Sequence, residues 1–249
     1  MLTLTFKGHV VAPTFEFSEK IINFGKVSYN FSVVKKVVLT NSSLVPIQYG
    51  VRIPGDGRHS SKPEFKVTPN AGTLPPTARQ PIEIEFVPSS AQKYDMVLVI
   101  DLEGVGQDMI SVPIRAECVV PSVRVQPNDF LEFKEIFLRH PRSCELALVN
   151  EDDLPARFEF VNQDEGSKRI AAYTQDHPQG IIKPKSTFIV NITLKTEILG
   201  AIRVPLYLKV DGHQIQFQLT VLAMSIGPIV VVDREEIDFG TVAVLKDCS

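Results

Sequence analysis

The 249-residue sequence has no tryptophan and only three cysteines, Cys118, Cys144 and Cys248. Antibody-type sandwiches fill and pin their cores with a tryptophan and a cysteine pair, so a β core here must rest on aliphatic and Phe packing, for which 15 Phe are present. No apolar run approaches the ~20 residues of a membrane span. The opening Met1-Leu-Thr-Leu-Thr-Phe-Lys-Gly-His9 alternates apolar and polar residues and lacks the unbroken apolar stretch of a signal peptide. Basic charge is not in excess: 26 Lys and Arg stand against 29 Asp and Glu. Residues 13–120 carry 11 basic and 11 acidic side chains, and residues 121–224 carry 12 and 13. Neither half has the electrostatic footprint of a nucleic-acid or anionic-membrane binder.

Chemistry-bearing patterns are missing as well. His9, His59, His140, His177 and His213 have no cysteine or second histidine at metal-ligand spacing. Gly55-Asp-Gly57 and Gly104-Val-Gly106 lack the lysine and helix of a phosphate loop and read as turn glycines. Glu151-Asp152-Asp153 lacks the further spaced carboxylates of a calcium loop and reads as a solvated turn. Cys144 has no suggested partner and reads as an inert, buried thiol. The sequence therefore predicts no catalytic residue, no metal and no cofactor.

What the chain does have is an internal repeat. Pro13-Thr-Phe-Glu-Phe17 followed by Ile22-Asn-Phe-Gly-Lys-Val27 returns as Pro121-Ser-Val-Arg-Val125 with Leu131-Glu-Phe-Lys-Glu-Ile136. It returns again as Pro228-Ile-Val-Val-Val232 with Ile237-Asp-Phe-Gly-Thr-Val242. The leading prolines stand 108 and 107 residues apart. Asn41 and Asn150, Pro46 and Pro155, Gly72 and Gly180, and Pro76 and Pro184 keep nearly the same offset.

The repeat reads as β-structure. Ile82, Ile84 and Phe86 alternate with Glu83 and Glu85. Phe188, Val190, Ile192 and Leu194 form a second alternating set, and Ile215, Phe217, Leu219 and Val221 a third. Period two sends one set to a core and the other to water. Gly104-Val-Gly106 and Asp211-Gly212 suit hairpins. About seven strands in some 108 residues predict an all-β fold of tandem immunoglobulin-like sandwiches of the PapD or major-sperm-protein kind. The expected boundaries are 1–12, the last strand of a preceding repeat; 13–120 and 121–224, two complete repeats; and 225–249, the opening strands of a following one. Pro121 follows Val120 with no Gly/Ser linker, which predicts a stiff, extended rod. Each cysteine falls in a different repeat, so no repeat can close an internal disulfide, which favours a reducing compartment such as the cytoplasm. The sequons at Asn30, Asn41 and Asn191 point the other way, toward secretion, though patterns this short arise by chance.

The proline-led strand, the I-x-F-G-x-V turn and the G-x-[LI]-x-P step resemble the Ig-like (ASH) repeats of cilium-associated proteins. Val51-Arg-Ile-Pro-Gly-Asp-Gly57, Asp101-Leu-Glu-Gly-Val-Gly106 and Asn150-Glu-Asp-Asp-Leu-Pro155 resemble the hydin family more specifically, as do Cys118-Val-Val-Pro121 and Val244-Leu-Lys-Asp-Cys248. That resemblance implies a non-enzymatic scaffold of the central-pair apparatus of motile cilia. Its partners would be other central-apparatus proteins and microtubules, with no nucleic acid and no membrane. Lys134 departs from the pattern, standing where the other copies have Gly25 and Gly240.

Specificity on a rigid scaffold is usually carried by loops. Two polar insertions occupy equivalent places and supply the candidate interaction residues: Asp56, Arg58, His59 and Lys62 in the first repeat, and Asp164, Glu165, Lys168 and Arg169 in the second. Lys35-Lys36 raises the alternative of a cytosolic adaptor with a basic peptide-binding face, as in major-sperm-protein domains. An extracellular adhesion array is the third reading.

Overall fold

The computed structural model describes residues 4, 5, 7, 13–55, 64–228, 236, 238, 240 and 241. In the first half the strands are β1 (Phe15–Phe17), β2 (Ile22–Ser28), β3 (Val33–Asn41), β4 (Ile47–Arg52), β5 (Phe65–Thr68), β6 (Ala71–Leu74), β7 (Arg79–Phe86), β8 (Lys93–Leu102) and β9 (Gly106–Val119). The second half holds β10 (Val123–Gln126), β11 (Phe130–Phe137), β12 (Arg142–Asn150), β13 (Ala156–Phe160), α1 (Glu165–Ile170), β14 (Ala171–Gln175), β15 (Gln179–Ile182), β16 (Thr187–Thr196), β17 (Gly200–Val210) and β18 (Phe217–Ile226).

Each half folds as a four-stranded sheet facing a five-stranded one. The orders are β1-β3-β7-β5 with β2-β9-β8-β4-β6, then β10-β12-β16-β14 with β11-β18-β17-β13-β15. The two halves are topological copies with nine strands each rather than seven, because four-residue edge strands such as β6 and β15 carry too little apolar pattern to read. The core sets are separate. One is built from residues between Ile22 and Cys118, with Phe65 stacked on Phe86 at 4.5 Å and Tyr94 edge-on to Phe86 at 5.0 Å. The other is built from residues between Val123 and Val221, around Phe158, with Phe160 and Phe188 at 6.0 and 5.1 Å. The period-two sets behave as expected at Ile82, Ile84, Phe86, Val190, Ile192 and Leu194, all fully buried. Ile215 does not: it is exposed, because β18 begins only at Phe217 and Ile215 belongs to the connection before it.

The I-x-F-G-x-V motif has a physical cause. Ile22, Phe24 and Val27 are all buried, although their spacing of two then three breaks the alternation. β2 runs parallel to β9, and the register shifts between Asn23 and Gly25. One extra residue at this β-bulge restores Val27 to the core side. Gly25 takes φ +69°, and its N–H donates to Asn23 Oδ1 at 2.9 Å. Leu131, Phe133 and Ile136 repeat the arrangement on β11, with a register shift between Glu132 and Glu135 against the parallel β18. There Lys134 adopts φ +58°, so the turn survives the loss of glycine and the lysine takes the left-handed backbone itself.

The other repeat anchors converge on one spot. Asn41 is fully buried, and its Nδ2 donates to the carbonyls of Val45 (2.9 Å), Leu74 (3.1 Å) and Pro75 (3.0 Å). Asn150 does the same to Leu154 (2.7 Å), Ile182 (3.3 Å) and Lys183 (3.2 Å). Each asparagine thus ties the loop carrying Pro46 or Pro155 to the strand end of the G-x-[LI]-x-P step. The glycine of that step faces an aromatic ring across the edge pair: a Cβ on Gly180 would lie 2.8 Å from Phe158.

Candidate interaction surface

The insertions chosen from sequence both connect a five-stranded to a four-stranded sheet, β4 to β5 and β13 to β14. Asp56, Arg58, His59 and Lys62 lie outside the described residues. In the second repeat the polar segment is helical rather than an open loop. Asp164 caps α1, its Oδ1 accepting from Ser167 N (2.9 Å) and its Oδ2 from Ser167 Oγ (2.6 Å). These bonds hold the Asp164 carboxyl below its ordinary range. Lys168 Nζ pairs with Glu165 Oε1 at 2.6 Å, and Asp164, Glu165, Lys168 and Arg169 all face solvent. Gln163 anchors the segment, donating to Ala171 O at 2.7 Å and accepting from Tyr173 N at 3.2 Å. The structure therefore places the four on one exposed helical segment, where Glu165 and Lys168 pair with each other and Asp164 bonds Ser167.

The basic pair is not a free basic face, since Lys36 Nζ meets Glu83 Oε1 at 2.6 Å. Among the described residues no three His, Cys, Asp or Glu side chains group as a metal site. A recess of about 790 Å³ is an open groove at Tyr49, Gly72 and the β8–β9 hairpin. Cys118 is buried, and burial pushes its thiol up. Cys144 is half-buried rather than buried: it lies near the start of β12, before the strand's buried stretch begins at Leu146, and its Sγ is 3.9 Å from Glu132 O. Of the sequons, Asn41 is fully buried and closed to modification in the folded chain.

A surface that the sequence did not point to lies between the repeats. The turn after β2, Ser28-Tyr29-Asn30-Phe31, seats on the loop before β13 and the β17–β18 hairpin. Ser28 Oγ donates to Pro155 O (2.6 Å), and Asn30 Nδ2 donates to Asp211 Oδ2 (3.1 Å). Arg157 lies over the Phe31 ring at 5.2 Å and 4.0 Å from Asp211. His213 Nε2 bonds Pro121 O at 2.9 Å, tying the hairpin to the connecting peptide. Gly212, at φ +84°, has no room for a side chain: a Cβ would fall 2.6 Å from Val120 and 3.0 Å from Tyr29. The sequence marked Asp211-Gly212 only as a hairpin and His213 only as a histidine without a partner at metal-ligand spacing. The usable signal was that Ser28-Tyr29-Asn30-Phe31 and its counterpart Phe137-Leu138-Arg139-His140 differ inside an otherwise matching repeat.

Residues 17–120 match the family model described as the CFAP74 fourth Ig-like domain. The hydrocephalus-inducing protein of Mus musculus is 32% identical over 272 aligned residues, and its Homo sapiens homolog 33%. Each alignment covers 99% of this chain, which spans 5% of the length of those relatives. Among solved structures, the ASH/PapD-like domain 7 of human CEP192 aligns with 48% of this chain and 100% of its own, at 13% identity and a TM-score of 0.36. In fold the chain is a tandem of Ig-like β-sandwiches, and in sequence it is similar along nearly its whole length to a short stretch of hydrocephalus-inducing protein, or hydin.

Proposed function

We propose that this chain is a non-enzymatic scaffold segment of the motile-cilium axoneme, within the central-pair apparatus, acting through protein–protein contacts. The repeats as units run from 13 to 120 and from 121 to 224, and the flanking residues belong to neighbouring repeats. The observation that carries the reading is the similarity to hydrocephalus-inducing protein over 99% of the chain. The structure supports it in kind: two separate cores joined through a built junction suit a load-bearing or spacing element. In such arrays each repeat contacts mainly its neighbours. Partners are other central-apparatus proteins and microtubules, met through exposed polar features such as the α1 cluster. The peptide-adaptor alternative gains nothing from Lys35 and Lys36, one of which is already paired with Glu83.

The test is localisation of the tagged full-length parent in cells with motile cilia, at a resolution that separates the central pair from the outer doublets. Signal along the central pair is the expected result. Signal confined to membranes, or outside the cell, would overturn the axonemal reading.

A further inference from the structure

The bulge on β2 and its copy on β11 each open a recess on the outer face of a five-stranded sheet, of about 250 and 440 Å³. The two recesses correspond position by position. Asn23 pairs with Arg115 as Glu132 pairs with Leu222, and Lys26 with Glu117 as Glu135 with Met224. One strand further in, Lys93 and Asp95 face Glu117 and Arg115, as Ala201 and Arg203 face Met224 and Leu222.

The chemistry of the two is opposed. The first recess has a charged floor, in which Asp95 lies 3.8 Å from Arg115. In the second the same positions hold Leu222, Met224 and Ala201, with Met224 46% exposed. The bulged strands differ in sign as well. Residues 20–26 carry Lys20 and Lys26 and no acid, a net charge of +2, whereas residues 129–135 carry Asp129, Glu132 and Glu135 against Lys134, a net charge of −2. Among the described residues, none of these three carboxylates has an ion-pair partner.

The first repeat serves as a control for what the fold itself requires. It builds the recess from charged side chains, so the sandwich does not need an apolar floor there. A following repeat does not cover the place either. The second repeat is seated on the Ser28–Phe31 turn, yet Lys26, Lys93, Asp95 and Arg115 all remain exposed. An apolar floor kept in water in one repeat and absent from the other marks an interaction site.

We propose that the β11–β18–β17 recess of the second repeat docks a segment of another protein that brings apolar side chains to Leu222 and Met224 and lysine or arginine to the β11 carboxylates. The charge on β11 selects a basic partner, and Arg203 on the opposite flank fixes its orientation, since a reversed segment would set like charges together. The inference does not depend on the axonemal reading.

The test selects random short peptides, displayed on phage, against the immobilised full chain. Each enriched sequence is then titrated against wild type and against Met224→Glu, Leu222→Arg and Glu135→Lys. These variants install what the first repeat already carries at those positions, Glu117, Arg115 and Lys26, so the fold accommodates them. The expected result is a set of sequences that combine apolar residues with an excess of lysine and arginine. Met224→Glu and Leu222→Arg should each weaken their binding about tenfold or more. Glu135→Lys should do the same and reduce the salt dependence. A selection that yields no sequence weakened by Met224→Glu would overturn the proposal. Weakened sequences that are acidic or uncharged, or an affinity that Glu135→Lys leaves unchanged, would overturn the assignment of a basic partner.

Discussion

The side-chain amides of Asn41 and Asn150 each share two N–H groups among three carbonyls, one of the three contacts buried and the others part-buried. The Oδ1 of Asn41 also accepts from Ser43 N at 3.0 Å and that of Asn150 from Asp152 N at 3.0 Å. Truncation at such a site strands several buried polar groups at once, so Asn41→Ala should cost the first repeat about 2–4 kcal/mol. Urea denaturation followed by signals assigned to each repeat would measure it, and an unmoved first-repeat midpoint would refute the role. Tyr173 makes a second prediction. Its hydroxyl donates to Pro205 O at 2.8 Å, and burial pushes its pKa from 10.0 up to about 12. A folded-state pKa raised above the unfolded one means that the folded chain holds the proton more tightly. The stability it contributes is present below pH 10 and is lost as pH climbs toward 12. Tyr173→Phe should therefore flatten part of the alkaline decline in unfolding free energy between those two values, while a decline of unchanged steepness would remove Tyr173 as its source.

At the scale of elements, the bulge shows how a motif outlives its glycine. The left-handed backbone at Lys134 costs about 1–2 kcal/mol in an L-residue, and glycine's larger unfolded freedom offsets part of any gain on replacement. Lys134→Gly is expected to stabilise the second repeat by about 1 kcal/mol net, read as a higher denaturation midpoint; a lower midpoint would mean that the lysine side chain contributes something its backbone angle does not reveal. The helix α1 is six residues long, too short to hold itself without its cap. Asp164→Ala should speed hydrogen exchange at the Ser167 amide and leave the amides of β14 protected. Protection lost across β14 as well would make the helix part of the sandwich rather than an appendage to it.

At the scale of the whole molecule, the contrast between Gly212 and Gly104 measures the junction. Both glycines are left-handed, but only Gly212 is walled in by Val120 and Tyr29. Gly104→Ala pays the backbone penalty alone, whereas Gly212→Ala must also displace the neighbouring repeat. Gly212→Ala should therefore be the costlier by about 1–3 kcal/mol, the usual price of overpacking. It should also loosen the relative orientation of the two repeats in residual dipolar couplings. Equal effects of the two substitutions would mean that the repeats do not hold each other in solution.

The sequence by itself determined the class of fold, the existence and period of the repeat, and most of the core. Those properties follow from short-range alternation and from anchors recurring at constant offset, as at Ile82–Phe86 and at the two asparagines. It did not reveal why the anchors recur, because Asn41, Leu74 and Pro75 meet only after the strands pair. The parallel pairing of β2 with β9 was equally hidden, since pairing direction leaves no mark in one strand's composition. Of the candidate surface, the sequence placed the polar insertion at Asp164–Arg169 but not its helix, whose cap is a matter of geometry. The junction was decided by tertiary structure alone. Ser28, Arg157 and Asp211 carry no pattern that links them, and they become one surface only because two finished sandwiches meet at their ends.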